Sequence, residues 1–397
     1  MQIEGTVRIR NKKTRSIERF HPWVFSGAIK SIDREMEEGA FVKVIDEDDR
    51  LLGHGFFSPE ASIAVRLTHF GDDQPTTDSW LERLRSAYQL RERLGLTADD
   101  QTNCYRLIHG EGDRLPGLII DHYDGALVIQ AHAWGMWRLL DTIKDGLLEI
   151  YGDSCKAIYQ KSADTLPNGK EEGIENGYLH GEGEASHVVL ENGIKMHVDW
   201  VLGQKTGFFL DQRENRALVG KLSKGRRVLN TFSYTGGFSL YSLQNDAEYV
   251  HSLDASGKAL NWGDENVVLN GFDPAKHKSI QADAVQYLKN LEHSYDLIIL
   301  DPPAFAKHQK ARHKAVQGYK RINRLAMEQI EPGGLLFTFS CSQAVDKQLF
   351  TNTVIAAAIE AKRKVRILHQ LHQPADHPIN AFHPEGEYLK GLVLEVK

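Results

Sequence analysis

The chain has 397 residues, enough for two or three domains, and its 41% hydrophobic and 26% charged residues describe a globular protein with ample core, not a disordered or fibrous one. A net charge of −6 excludes a uniformly basic nucleic-acid coat, and the lack of any apolar run of about 18 residues excludes a membrane-spanning helix. Three cysteines (Cys104, Cys155 and Cys341) argue against a disulfide framework and for a reducing, cytoplasmic setting; no Cys/His spacing suits zinc, so no metal is expected.

Residues 1–72 read as a small β domain. FVKVID (41–46), LLGHGFF (51–57) and SIAVRL (62–67) are short β-rich runs separated by turn residues. The opening stretch MQIEGTVRIRNKKTRS has no apolar signal segment. It begins a basic run in which Arg8, Arg10, Lys12, Lys13, Arg15 and Arg19 face only Glu18. Such a run suits phosphate contact, against the alternative of a solvated face. Trp23 and Phe25, in HPWVFSGAI, are assigned to the core of this small domain.

GDDQPTTD (71–78) reads as a linker into a central α+β domain over 73–198. A capping box, Ser79 to Glu82, predicts a helix through Leu94. Residues 117–132 predict a hairpin turning at Asp124-Gly125, and 136–151 have helical periodicity. The polar, Gly-rich stretch 161–186 predicts a long mobile excursion. Residues 187–200 predict a second hairpin, turning at Asn192-Gly193.

From 199 to 397 strands and helices alternate. Strands are expected at 227–232, 249–254, 278–283, 295–303 and 333–342, with helices at 236–245, 256–270, 284–291, 312–330 and 344–361. Residues 364–371 and 388–396 would close the chain as an antiparallel edge pair. This pattern predicts a doubly wound α/β, Rossmann-like sheet, whose ligands bind outside the carboxyl ends of its strands.

The first strand enters NTFSYTGGFSL, where Phe232, Ser233, Tyr234, Thr235, Gly236 and Gly237 form a tight turn toward a ligand. A dinucleotide needs G-x-G-x-x-G to cradle its pyrophosphate, and that fingerprint is missing. S-adenosylmethionine has no phosphate. Its ribose asks for an acid, which Asp254-Ala255 supplies after the second strand. Its adenine amine asks for an acceptor, which Asp283-Ala284 supplies after the third. The fourth strand ends on Asp301-Pro302-Pro303. Between Asp301 and Glu328 lie Lys307, Lys310, Arg312, Lys314, Lys320, Arg321 and Arg324 with no acid among them, a second candidate RNA patch.

The strand-end DPP, the TGGF turn and the spaced acids resemble class I methyltransferases. RFHPWVFSGAI, EGDRLPGLIIDHY, KTGFFLDQREN, NTFSYTGGF, LDPPAFAK, QGYKRIN, TFSCS and PEGEYLKG together resemble the ribosomal-RNA cytosine-C5 methyltransferases that carry an N-terminal PUA domain, over nearly the whole chain. The resemblance implies S-adenosylmethionine as cofactor and large-subunit ribosomal RNA as partner. It implies Cys341 as nucleophile, Asp301 as partner of cytosine N3, and Asp211 and Arg213 as shapers of the cofactor pocket. The chemistry is consistent, because attack of a thiolate at C6 turns C5 into a nucleophile. In the doubly wound order, Cys341 after strand five and Asp301 after strand four leave neighbouring strands. The sequence departs from the two-cysteine RNA methyltransferases, since Ala304 follows the two prolines. A base-nitrogen methyltransferase, an inactive RNA-binding protein and, least of all, a nicotinamide dehydrogenase stay open as alternatives, and so does a homodimer.

Overall fold

The computed structural model describes every residue except Met1, Gln74, Glu184, Ala185, Lys307 and His308. Packing divides the chain into two compact units. One comprises Met1–Val189, Val198–Leu210 and Ala375–Gly386; the other comprises Leu190–His197, Asp211–Pro374 and Glu387–Lys397. This differs from three consecutive stretches divided at 72 and 198. Residues 198–210 and 375–386 belong with the first unit because Trp200 stacks on Tyr123 and Arg91 Nη2 donates to the Asp376 carbonyl at 2.6 Å.

The first unit holds two sheets. Six strands pair in the order Trp23–Phe25, Ile63–Phe70, Leu51–Phe57, Phe41–Ile45, Gly5–Ile9, Ile29–Ile32. Their alternation buries Val7, Ile9, Val24, Val42, Val44 and Val65 in a core of their own. The second sheet runs Gly177–Gly181, Ala157–Gln160, Ala126–Ala131, Leu118–Tyr123, Cys104–His109. Its turn has Asp124 and Gly125 at φ of 47° and 89°, as the Asp-Gly signal requires. Helices Thr77–Arg93 and Leu140–Tyr151 share its core through Leu84, Ile143 and Leu147.

Three expectations change here. Thr76, in extended conformation, caps the first helix by accepting from the Ser79 N–H, so Ser79 is the last residue of the box and not its first. The helix expected over 136–151 is broken at Arg138–Leu139, leaving Trp134–Trp137 and Leu140–Tyr151. Part of the excursion 161–186 is ordered: Gly177–Gly181 pairs antiparallel with Ala157–Gln160, and Leu166 is buried.

The second unit is built on one seven-stranded sheet: β1 (Arg227–Thr231), β2 (Tyr249–Asp254), β3 (His277–Gln281), β4 (Leu297–Leu300), β5 (Gly334–Ser340), β6 (Val365–His372) and β7 (Lys390–Val396). The spatial order is β3-β2-β1-β4-β5-β7-β6, parallel from β3 to β5. β4 and β5 are buried along their whole length, the signature of strands covered on both faces. β6 and β7 do pair antiparallel, but β7 lies inside the sheet against β5, and of the two only β6 is an edge strand. Helix Arg312–Gln329 packs Tyr319, Ile322 and Ala326 into the core beside β4 and β5. Among the described residues, no helix is long and apolar enough to cross a membrane.

Candidate active site

Past Thr231 the chain makes a turn that ordinary side chains avoid: Phe232, Tyr234 and Gly236 have φ of 56°, 48° and 83°. Left-handed backbone costs Gly236 little but costs Phe232 and Tyr234 about 1–2 kcal/mol each, a strain found where geometry serves a site. Neighbouring groups impose it. The Ser233 N–H donates to the Leu253 carbonyl at 3.1 Å and the Gly236 N–H to the Ser233 carbonyl at 2.9 Å. Asp254 accepts from the Tyr234 N–H at 3.0 Å with one oxygen and from the Ser256 N–H at 2.9 Å with the other. A carboxylate has about four lone-pair sites, so Asp254 retains acceptor capacity for a ribose diol.

The hydroxyls of Ser233 and Thr235 are buried and lack a hydrogen-bond partner among the described residues. Buried hydroxyls are ordinarily paired, so these two fit the polar atoms of a bound cofactor. Ala255 is exposed beside Asp254. Asp283 is exposed too, and one of its oxygens already accepts from the Gln286 N–H at 2.8 Å, capping Ala284–Tyr287. Ala284 turns its methyl into the hydrophobic core, so only its backbone is available to a ligand.

Behind the turn lies an ion pair that sequence reading missed. Arg216 donates to both oxygens of Glu191, at 2.7 and 2.6 Å, with side chains 3% and 0% exposed. A Cβ on Gly237 would stand 3.0 Å from Arg216 Cδ, so the turn and the guanidinium are in close contact. Glu191 is brought there by the hairpin Ser186–Glu191/Ile194–Asp199, whose turn has Asn192 at φ 50° and Gly193 at 78°.

Asp301 leaves the end of β4, with Pro302 buried after it. It keeps partial access to solvent, yet burial, with the Asp211 carboxylate close by, raises its pKa to about 7. The Gln212 Nε2–H donates to Asp301 Oδ2 at 3.0 Å and opposes the rise. Gln212 is itself held by Asn215, whose Nδ2 donates to Gln212 Oε1 at 2.7 Å. Asp301 is therefore a neutral acid in about half of the molecules at pH 7, far more than an ordinary carboxyl, and in that form it can donate its proton in a hydrogen bond. Asp211 Oδ2 accepts from the Tyr388 hydroxyl at 2.7 Å, while its other oxygen is buried without a hydrogen-bond partner. Arg213 opens the helix Arg213–Lys221 with its side chain 4% exposed and faces Glu214 at 3.5 Å.

Cys341 follows β5 and is partly exposed, whereas Cys104 and Cys155 are buried in the other unit. β4 and β5 pair in parallel with Leu300 opposite Thr338, so Asp301 and Cys341 emerge at the same end of adjacent strands. Two further residues support the turn carrying Cys341. Tyr319 OH lies 2.9 Å from Ser342 Oγ, and Lys390 Nζ donates to the Ser342 carbonyl at 2.8 Å.

The basic stretches are less unopposed than they look in sequence. Lys307 lies outside the described residues. Arg312 meets Asp346 at 3.6 Å, Lys320 meets Glu360 at 2.7 Å and Arg324 meets Glu328 at 2.6 Å. Asp346 caps the helix Lys347–Glu360 and Glu360 ends it, and the local window 302–327 contains neither. Lys310, Lys314 and Arg321 are exposed. In the first unit Arg8 is tied to Asp49 at 2.6 Å and Arg10 donates to the Gly27 carbonyl at 2.7 Å, leaving Lys12, Lys13, Arg15 and Arg19 as exposed cations.

His21, His383 and Glu385 also converge, a grouping that could hold a metal ion. His21 Nδ1 accepts from the Trp23 N–H at 3.2 Å, which puts its proton on Nε2, 3.2 Å from Glu385 Oε2. A nitrogen that carries a proton toward a carboxylate is a donor and not a metal ligand.

Residues 105–385 match the family model described as S-adenosylmethionine-dependent methyltransferase, and residues 7–70 match that of a PUA-like domain. A protein of Shewanella denitrificans named ribosomal RNA large subunit methyltransferase I is 41% identical over 98% of this chain and 99% of its own. A solved structure from Streptococcus mutans, described as a SAM-dependent methyltransferase, is 22% identical with a TM-score of 0.85 over 99% of this chain and 100% of its own. Another methyltransferase structure, complexed with SAH, has a TM-score of 0.86 at 21% identity, with 99% and 100% covered; these two likenesses speak for the fold. Sheet order, strained turn and matched families agree: the chain belongs to the S-adenosylmethionine-dependent methyltransferase family, beside the ribosomal RNA large subunit methyltransferases I.

Proposed function

We propose that this S-adenosylmethionine-dependent methyltransferase acts on large-subunit ribosomal RNA and methylates cytosine at C5, with Cys341 as nucleophile and Asp301 as the group at N3. The observation that carries the reading is the pairing of a partly exposed thiol with a carboxyl of pKa about 7 at the ends of adjacent parallel strands. Bound S-adenosylmethionine supplies the methyl group as an electrophile. The turn 232–237 and Asp254 would hold it, with Asp283 toward the adenine and Asp211 and Arg213 shaping the pocket. The Cys341 thiolate adds to C6 of a cytosine turned out of its stack. Negative charge then develops on the ring, and the neutral Asp301 acid donates to N3 as it does so. After methylation a base takes the C5 proton, the electrons of that bond restore the C5–C6 double bond as the C6–S bond breaks and the thiolate leaves, and the proton on N3 returns to Asp301. The names of the relatives, the PUA-like domain and the exposed cations Lys12, Lys13, Arg19, Lys310, Lys314 and Arg321 support RNA as partner.

The test is RNA carrying 5-fluorocytosine, in which the proton to be lost is replaced by fluorine. The wild type should be trapped in an adduct that survives denaturation. Cys341→Ser should form none and should not turn over, while Cys104→Ala and Cys155→Ala behave as wild type. A Cys341→Ala enzyme that methylates cytosine normally would refute the mechanism.

A further inference from the structure

We propose that Lys390 is the positioning cation of the Cys341 thiolate, holding its negative charge beside a fixed ammonium; this rests on the reading of Cys341 as nucleophile. Lys390 opens β7 and stands directly opposite Ser340, the last residue of β5. Its side chain runs inward, leaving the residue 4% exposed, and Nζ donates to the carbonyls of Ser342 and Tyr388, both at 2.8 Å. Ser342 is the next residue after Cys341, so the ammonium is pinned within the turn that presents the thiol. Two of its three N–H bonds fix its place, and the third is left for an anion.

Burial disfavours the charged form of Lys390, and Cys341 is the first group that opposes this, followed by Glu387 and Asp346. Asp346 is a weak competitor, since its side chain is 64% exposed, caps the helix Lys347–Glu360 and faces Arg312. Tyr319, also beside Cys341, is a neutral phenol whose pKa burial raises further. The attraction is mutual: what the thiolate does for the ammonium, the ammonium does for the thiolate. An ordinary thiol has a pKa of about 8.5 and is a few per cent ionised at pH 7. A compact, buried point charge is the means by which lysine shifts that balance. Throughout the reaction the proton stays on Nζ. Negative charge leaves sulfur when the C6 bond forms and returns beside the ammonium when that bond breaks.

Full-length protein would be alkylated with iodoacetamide from pH 5.5 to 10, following the Cys341 peptide by mass. The wild-type midpoint should lie about one unit or more below 8.5. Lys390→Met should raise it by about one unit, making alkylation about tenfold slower at pH 7, and Lys390→Arg should keep it low. A wild-type midpoint at 8.5 or above, or one that Lys390→Met leaves in place, overturns the proposal. If Lys390→Met fails to fold, shown by lost S-adenosylmethionine binding, the wild-type and Lys390→Arg midpoints decide it in the same sense. Mass mapping of the 5-fluorocytosine adduct separates the two readings. An adduct on another residue, with the Cys341 midpoint low and moved by Lys390→Met, refutes the nucleophile and keeps the cation; an adduct on Cys341 with an ordinary midpoint does the reverse.

Discussion

Replacing Asp301 by asparagine should make the protein more stable and less active, with a stability gain that grows as pH rises from about 4 to about 7. The carboxyl has a pKa of 3.8 in an open environment and about 7 in the fold. Because the folded value is the higher, its contribution to stability is complete below about pH 4 and is lost as pH rises through about 7. A shift of about three units at about 1.4 kcal/mol each sets a ceiling of roughly 4 kcal/mol. Partial solvent access screens the charge, so the expected penalty at pH 8.5 is about 1–2 kcal/mol. Asparagine carries no charge at any pH and keeps a side-chain oxygen for the Gln212 Nε2–H. Calorimetric melting should therefore show Asp301→Asn about 2–6 °C above wild type at pH 8.5, with the difference shrinking to about a third of that at pH 5. Turnover should fall by about 10²–10⁴, since the amide N–H can donate a hydrogen bond but is not acidic enough to transfer a proton. The same melting difference at both pH values would refute the reasoning, because it would show that the carboxyl is ionised without cost.

Asp254→Ala should weaken S-adenosylmethionine binding roughly tenfold to a hundredfold by calorimetry, as it removes both the ribose acceptor and the anchor of the Tyr234 N–H. Neutralising Lys310, Lys314 and Arg321 together should flatten the salt dependence of RNA binding by about 0.7–0.9 per lost phosphate contact, read by titration at several ionic strengths. The same change at Arg312, Lys320 and Arg324, which have acidic partners, should flatten it less. Glu191→Gln should cost about 3–5 kcal/mol in denaturant unfolding by stranding the buried Arg216, and should lower cofactor affinity through the adjoining Gly237 turn.

Strand–helix alternation, the Asp-Gly and Asn-Gly turns and the acids at strand ends were legible because each is a local signal with a local cause. Cys341 and Asp301 could be placed side by side because strand order in a doubly wound sheet follows from chain order. Failures arose where the deciding partner is distant in sequence. Lys320 looks unopposed until Glu360 is folded against it, and Lys390 looks like any strand lysine until β7 enters beside β5. Gln212 sits in a motif that was noticed, but nothing in its neighbours reveals that it reaches Asp301. The cap at Thr76 was missed for a nearer reason: Ser79 can serve as the first or the last residue of a capping box, and only backbone angles choose.

The interleaving of the two units limits what can be done with either as a module. A fragment ending at Val189 would lack Trp200, which stacks on Tyr123, and His383, whose ring lies 4.3 Å from that of Trp23. A fragment beginning at Asp211 would carry residues 375–386 away from the partners they pack on, as a loose loop between β6 and β7. No single cut separates the units cleanly, so recombination that swaps the first unit for another must exchange three stretches at once. Proteolysis should likewise release neither half as a stable product.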